Sequence, residues 1–327
     1  MGSKTNKNAN MKISDNFLSL FEAYLASSEI HKEPQGIYDP INYVLSMGGK
    51  RIRPVLMLLA YSLYKDNAKD ILPAALAIET YHNYTLLHDD VMDKADVRRG
   101  KPTVHKKWNE NAAILSGDSM LVLAYQRMLE LKNPRMKEVL DLFTTTALEI
   151  GEGQQYDLEF ETRMDVREEE YIEMIRLKTS VLLACALKIG AILANAPQED
   201  CDKLYDFGIN MGLAFQLQDD YLDVYGDFKT FGKAIGGDIL CDKKTFMLIN
   251  AINKADGFDF SKLYDTPQEK ISAVTNLYNE LGIDRLAQEK IEYYFRLARK
   301  NLDEVSLPQN TKQPLYDYLN DMLKREK

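Results

Sequence analysis

Six aspartates in two clusters carry the most legible chemistry in this 327-residue chain. The first cluster lies in His88-Asp89-Asp90-Val91-Met92-Asp93 and is followed by Arg98-Arg99-Gly100-Lys101; the second is Gln218-Asp219-Asp220-Tyr221-Leu222-Asp223. Each places carboxylates at i, i+1 and i+4, so on a helix the first and last share a face with Cβ atoms roughly 5–6 Å apart. Such acids cannot enter a dry core without a counter-charge. An oxygen-only donor set suits Mg²⁺, which keeps waters and takes one or two carboxylates plus substrate phosphates. Guanidinium groups such as Arg98 and Arg99 match phosphate oxygens in pairs. One cluster alone would also describe a solvated helix end. The pattern recurs, however, each time at the end of an apolar helix, with Leu86-Leu87 before the first copy and Leu213 to Leu217 before the second. Recurrence predicts two acidic clusters that face one another across a cavity and share Mg²⁺ ions with a diphosphate.

The elements that must hold these clusters read as helix after helix. Asp15 is expected to cap the first, and Gly48-Gly49 to end a short helix over 41–47. Pro54 and Pro73 open the next two, because proline is tolerated in a first turn; the second of these runs to about Asp93. Helices follow over 112–131 and 136–160, then over 168–196 as two helices or one kinked helix, then over 203–225. The remainder reads as helices over 243–254, 267–281, 283–305 and 314–324. No strand-period alternation runs beyond three or four residues, and no Asn-Gly hairpin signal occurs. The expectation is an all-α chain, a single-domain helical bundle around a central active-site cavity over residues 11–327. Residues 1–10 are polar and read as a disordered lead.

Composition narrows the function. The chain is 45% apolar and 28% charged with a net charge of -9, which is ordinary for a well-cored globular protein and makes nucleic acid an unexpected partner. Only three cysteines occur, Cys185, Cys201 and Cys241, with no Cys-x-x-Cys pair; this argues against a disulfide framework or a zinc site and fits a reducing cytoplasm. The longest apolar run, 181–196, is interrupted by Lys188 and is too short to span a membrane.

Further motifs surround the clusters: Gly48-Gly49-Lys50-Arg51-Ile52-Arg53-Pro54, His82, Arg98-Arg99-Gly100 with Pro102-Thr103 and His105, and Gly117-Asp118. Gly151-Glu152-Gly153-Gln154, Lys178-Thr179, Gln216 and Gly232-Lys233 continue the series. Through these the chain resembles the trans-polyprenyl diphosphate synthase family, of farnesyl and geranylgeranyl type, over residues 35–250. The resemblance implies the isoprenoid synthase fold. It also implies a Mg²⁺-dependent prenyltransferase that joins isopentenyl diphosphate head-to-tail to an allylic partner, which could be dimethylallyl, geranyl or farnesyl diphosphate. By the same resemblance Gly49, Lys50, Arg53, His82 and Arg99 would hold isopentenyl diphosphate without metal. Asp89, Asp93 and Asp219 would ligate three Mg²⁺ ions shared with the allylic diphosphate, and Arg98, Lys178, Lys233 and Lys243 would complete that cage. Asp90 and Asp220 belong to the same catalytic clusters, and Thr179 and Gln216 offer oxygen dipoles to an allylic cation. After the second cluster the chain reads Asp242-Lys243-Lys244-Thr245 where relatives often carry Gly-Lys. The family usually pairs as a homodimer.

Product length should be set on the helix that carries the first cluster. Tyr84 lies five residues before Asp89, about 7.5 Å deeper at 1.5 Å per residue. Tyr81 lies below it, and Thr85 is small. One aromatic at this depth resembles the C20 pattern, with C15 as the near alternative. A terpene cyclase, a head-to-head condensing enzyme, a non-catalytic partner subunit and a Mg²⁺ phosphohydrolase are the rival readings. The first two take one substrate type and lack the separate basic site, and a non-catalytic subunit should have lost aspartates.

Overall fold

A computed structural model describes residues 12–226, 235–255 and 264–323. The described chain is helical apart from one two-stranded hairpin. In order, the helices are α1 (Ile13–Ala26), α2 (Gln35–Leu45), α3 (Ile52–Ser62), α4 (Leu72–Met92), α5 (Val104–Lys107) and α6 (Glu110–Met128). Then come α7 (Met136–Thr162), α8 (Glu168–Ile175), α9 (Val181–Leu193) and α10 (Gln198–Tyr225). The series closes with α11 (Gly237–Leu240), α12 (Phe246–Lys254), α13 (Pro267–Glu280), α14 (Ile283–Asp303) and α15 (Gln309–Leu323). The chain forms two compact units, one of residues 1–142, 186–201 and 307–315, the other of 143–185, 202–306 and 316–327.

In the first unit α4 is the buried axis. Leu72 and then every residue from Ala74 to Tyr81 are buried: small and aliphatic side chains occupy all sides as far as Ile78, and Glu79 is buried in an ion pair with Arg51. Each Leu or Ile fully buried this way contributes about 1.5–3 kcal/mol. The polar residues His82, His88 and Asp89 arrive only where α4 emerges from that packing. In the second unit α14 shows the ordinary amphipathic solution: Ile283, Ala287, Ile291, Phe295, Ala298 and Leu302 form one buried stripe, with charged residues opposite.

Several expectations shift. Helix α1 begins at Ile13 with Lys12 at the cap, and Asp15 sits in its first turn, where a carboxylate still favours the helix dipole. Helix α2 begins at Gln35, six residues earlier than expected, with Pro40 inside it, and Pro314 lies inside α15 rather than opening it. The segment 168–196 is broken by a wide π-type turn at Arg176–Ser180 between α8 and α9. The hairpin joins β1 (Val97–Arg98) to β2 (Lys101–Pro102), with Val97 opposite Pro102 and Arg98 opposite Lys101. Its two turn residues, Arg99 and Gly100, both take positive φ (52° and 74°), as a tight two-residue hairpin requires. Arginine is not a turn signal, so the hairpin is invisible to sequence rules.

Candidate active site

In the first unit the hairpin separates two arginines that are adjacent in sequence. Arg98, in the strand, grips the buried Asp90 with Nε at 2.8 and 2.9 Å from the two carboxylate oxygens and Nη2 at 2.8 Å from Oδ1. Burial pushes the Asp90 carboxyl up from its ordinary value, and Arg98 pulls it back down. Arg99, at the turn, donates instead to the Gly48 carbonyl. Gly49 sits at φ 132°, a backbone conformation that favours glycine, and the Arg99 guanidinium lies against it, 2.8 Å from where a Cβ would stand.

Arg53 Nη1 lies 3.1 Å from His82 Nε2. A guanidinium has no acceptor, so the histidine must accept, and its ring is neutral at that nitrogen. Burial, followed by Arg53, Arg99, Arg98 and Arg51, holds the His82 pKa well below its ordinary value. The structure thus gathers Gly49, Arg53, His82 and Arg99, with Lys50 exposed on the same loop. Of the four guanidinium groups around this imidazole, Arg98 is held by Asp90 and Arg51 by Glu22 and Glu79.

Asp89 and Asp93 stand one turn apart where α4 ends, Asp93 at the C-cap with its N–H donating to the Asp89 carbonyl at 2.8 Å. Asp90 is buried, Asp89 is half-buried and Asp93 is exposed, so the three acids of the cluster sit in different surroundings.

The second cluster, in the second unit, follows the same plan with different partners. Asp220 is buried and accepts hydrogen bonds from the Tyr171 hydroxyl and, at 3.0 Å, from Gln216 Nε2. Gln216 in turn accepts from Thr179 at 3.1 Å. Burial raises the pKa of Asp220, and nearby Lys243 opposes the rise, which places Lys243 beside this cluster. Asp219 is half-buried. Asp223 turns away to fasten the following chain: its Oδ2 accepts from Asp238 N–H at 2.9 Å.

Lys178 and Thr179 lie within the π-type turn, and Lys178 donates to Asp157 at 2.6 Å. Two glycines make room for the wide turn. A Cβ on Gly153 would stand 2.4 Å from the Lys178 backbone nitrogen, and one on Gly212 would stand 2.6 Å from Ser180 Cα. Backbone cannot yield as a flexible side chain does. Gly153→Ala is therefore expected to cost about 1–3 kcal/mol of stability and to displace Lys178. Thermal unfolding should show a melting point several degrees lower, and kcat/KM for the allylic substrate should fall at least tenfold, about 1.4 kcal/mol. An unchanged kcat/KM would detach the turn from the site.

Tyr84 is half-buried against a cluster of Ile41, Val44, Leu87, Val104, Ala113 and Met120. Its ring meets His88 edge-on at 4.8 Å and tilts against Tyr81 at 5.4 Å. Tyr81 is fully enclosed, so it supports Tyr84 from below, and Thr85 bonds back to the His82 carbonyl at 2.8 Å. Lys233, with Gly232, lies outside the described residues. Tyr171 and Asp157 escaped sequence reasoning, because their partners are 49 and 21 residues away and no local pattern links them.

Among the described residues no three His, Cys, Asp or Glu side chains converge into a ready metal cage. Carboxylates at the ends of α4 and α10, with no thiolate beside them, fit Mg²⁺, which draws its remaining ligands from water and substrate phosphate.

A nearly all-helical architecture, aspartate-rich ends on two long helices and a cluster of guanidinium groups around His82 define a class of protein suited to diphosphates. The family described as "Polyprenyl synthetase" matches residues 34–281, and the chain belongs to that family. It is 41% identical over 263 residues to a geranylgeranyl diphosphate synthase of Methanosarcina mazei, covering 80% of this chain and 81% of that one. It is 36% identical over 312 residues to a geranylfarnesyl diphosphate synthase of Natronomonas pharaonis, covering 89% and 90%. A solved structure of a geranylgeranyl pyrophosphate synthase superposes with a TM-score of 0.91 at 43% identity, covering 97% of this chain and 100% of that one. The chain is thus a trans-prenyltransferase with the all-α fold of the isoprenoid synthases.

Proposed function

We propose that the enzyme condenses isopentenyl diphosphate with an allylic diphosphate and stops at geranylgeranyl diphosphate, a C20 product. The observation that carries this reading is the pair of chemically distinct anion sites. The pocket of Lys50, Arg53, His82 and Arg99 offers only cations and neutral donors, which suits isopentenyl diphosphate without metal. The Asp89/Asp93 and Asp219 carboxylates repel a naked diphosphate and suit an allylic diphosphate delivered with Mg²⁺. Bound there, three Mg²⁺ ions would draw charge from the leaving diphosphate.

The residues of the chain then divide the work. Lys178, Lys243 and Lys233 add positive charge around the departing group. Arg98 serves that site through Asp90, which it holds. As the allylic C–O bond breaks, its electron pair leaves with the diphosphate. Thr179 and Gln216 present oxygen dipoles to the allylic cation. The double bond of isopentenyl diphosphate supplies the electrons of the new C–C bond, and a proton is lost from the adjacent carbon. The family relatives named for C20 and C25 products support a chain longer than C15, and Tyr84 supports a floor at C20.

The two units would act together as one synthase domain over residues 11–327, in a homodimer. Leu115, Val122 and Leu129 support the dimer: they are exposed at seven-residue intervals along and just beyond α6. A cytoplasmic location is supported by three cysteines that form no disulfide. No described helix is long and apolar enough to cross a membrane.

The test is product analysis. Purified enzyme, Mg²⁺, labelled isopentenyl diphosphate and each of the C5, C10 and C15 allylic partners should all converge on C20 by chromatography after dephosphorylation. Accumulation at C15, or a ladder passing through C20, would overturn the assignment.

A further inference from the structure

One buried ion cluster in the first unit has no part in the chemistry above. Arg51 interrupts the loop between Lys50 and Arg53, and it is 3% exposed. Its backbone is left-handed at φ 47°, a conformation that a side chain with a Cβ adopts only when held there. Its guanidinium is held by three different elements. Nε donates to Glu22 of α1 at 2.8 Å, Nη1 to Glu79 of α4 at 2.8 Å, and Nη2 to the Leu45 carbonyl at the end of α2 at 2.7 Å. Glu79, 2% exposed, also accepts from Asn83 at 3.1 Å, so its carboxylate cannot swing away from Arg51.

Glu79 lies one turn before His82 on α4, and Arg51 lies two residues before Arg53. Two bridges therefore run in parallel between the start of α3 and the middle of α4. Arg53 to His82 is the bridge at the anion pocket, and Arg51 to Glu79 is the dry one behind it. A cavity of about 230 Å³ adjoins Arg51, Leu45 and Gly48. Close packing does not back the loop on that side, and hydrogen bonds must set its position instead.

We propose that Arg51, fixed by Glu79 and Glu22, is a positioning residue that sets the Gly49–Arg51 turn and the start of α3, with Arg53, against His82 for isopentenyl diphosphate. The inference rests on the reading of that pocket as the isopentenyl diphosphate site. Arg51 touches no substrate; it acts through Lys50 and Arg53, which its backbone carries. A fork with three donors at fixed angles does this, and a lysine, with one ammonium on a flexible stem, does not.

The experiment compares Glu79→Gln, Arg51→Lys and the milder Glu22→Gln with Arg53→Gln as reference, all assayed well below each variant's own melting temperature. Glu79→Gln and Arg51→Lys should raise KM for isopentenyl diphosphate at least tenfold. Neither should change KM for the allylic diphosphate, and kcat at saturation should stay within about twofold of wild type. Glu22→Gln, whose own side chain lies nearer the surface than that of Glu79, should give a smaller shift in the same direction. If Glu79→Gln or Arg51→Lys does not fold, Glu22→Gln decides. Equal changes in both KM values, or no change in any variant while Arg53→Gln still raises KM for isopentenyl diphosphate, would overturn the positioning role. An Arg53→Gln enzyme with an unaltered KM for isopentenyl diphosphate would overturn the pocket assignment itself, and the positioning role with it.

Discussion

Asp89→Asn is expected to lower kcat about a thousandfold, equivalent to about 4 kcal/mol of transition-state stabilisation, while leaving the fold intact. The substitution keeps the shape and removes one negative charge from a half-buried position at the end of α4. If that charge holds Mg²⁺ as proposed, activity should also require a higher Mg²⁺ concentration. Asp219→Asn should behave in the same way. The middle aspartate of the first cluster should behave differently. Asp90 is buried and gripped by Arg98, so Asp90→Asn leaves a guanidinium short of its counter-charge and should cost about 2–3 kcal/mol of stability. Thermal unfolding paired with steady-state kinetics separates the two patterns. A full loss of activity in Asp90→Asn with no fall in melting temperature, or an Asp89→Asn enzyme within tenfold of wild type, would contradict the roles assigned here.

Tyr84→Ala should lengthen the product. Removing the ring takes away the side chain that packs against His88 and over the enclosed Tyr81. The floor would drop to Tyr81, three residues lower and about 4.5 Å deeper at 1.5 Å per residue, which is room for one further five-carbon unit. C25 should therefore replace C20 as the main product, with a minor C30 fraction. Truncating a half-buried aromatic should also cost about 2–3 kcal/mol of stability, so product analysis belongs at a moderate temperature. Chromatography of the dephosphorylated alcohols reads the outcome, and unchanged lengths would place the floor elsewhere.

Both predictions start from what was legible in sequence, and their contrasts come from what was not. The i, i+1, i+4 spacing identified both acid clusters and their place at helix ends, because helical periodicity is local information. It could not tell which acid of each cluster turns inward. That depends on Arg98 and Tyr171, and the choice of Tyr171 rests on a contact spanning 49 residues. The arginine pair was legible as two adjacent guanidinium groups just past the first cluster. Its division between Asp90 and Gly48 was not, since it follows from a hairpin turn with arginine at a positive-φ position. The glycines Gly151 and Gly153 called for a reason within a helix, and Gly153 has one: the wide turn at Arg176–Ser180 lies against it. No residue pattern announces a π-type turn, since the extra residue is inserted without altering the apolar stripe on either side. One helix boundary slipped where proline was read as a start signal: Pro314 is the sixth residue of α15, where it removes a single backbone hydrogen bond without ending the helix.

The central claim is that two diphosphates are recognised by different chemistry, one by cations alone and one through carboxylate-held Mg²⁺. Titration calorimetry on the wild-type enzyme tests it directly, with isopentenyl diphosphate and a non-ionising thio-analogue of farnesyl diphosphate, each titrated in EDTA and in Mg²⁺. The account predicts that isopentenyl diphosphate binds in EDTA within a few-fold of its affinity in Mg²⁺, whereas the allylic analogue binds only when Mg²⁺ is present. Equal dependence of both ligands on Mg²⁺, or allylic binding undiminished in EDTA, would contradict it.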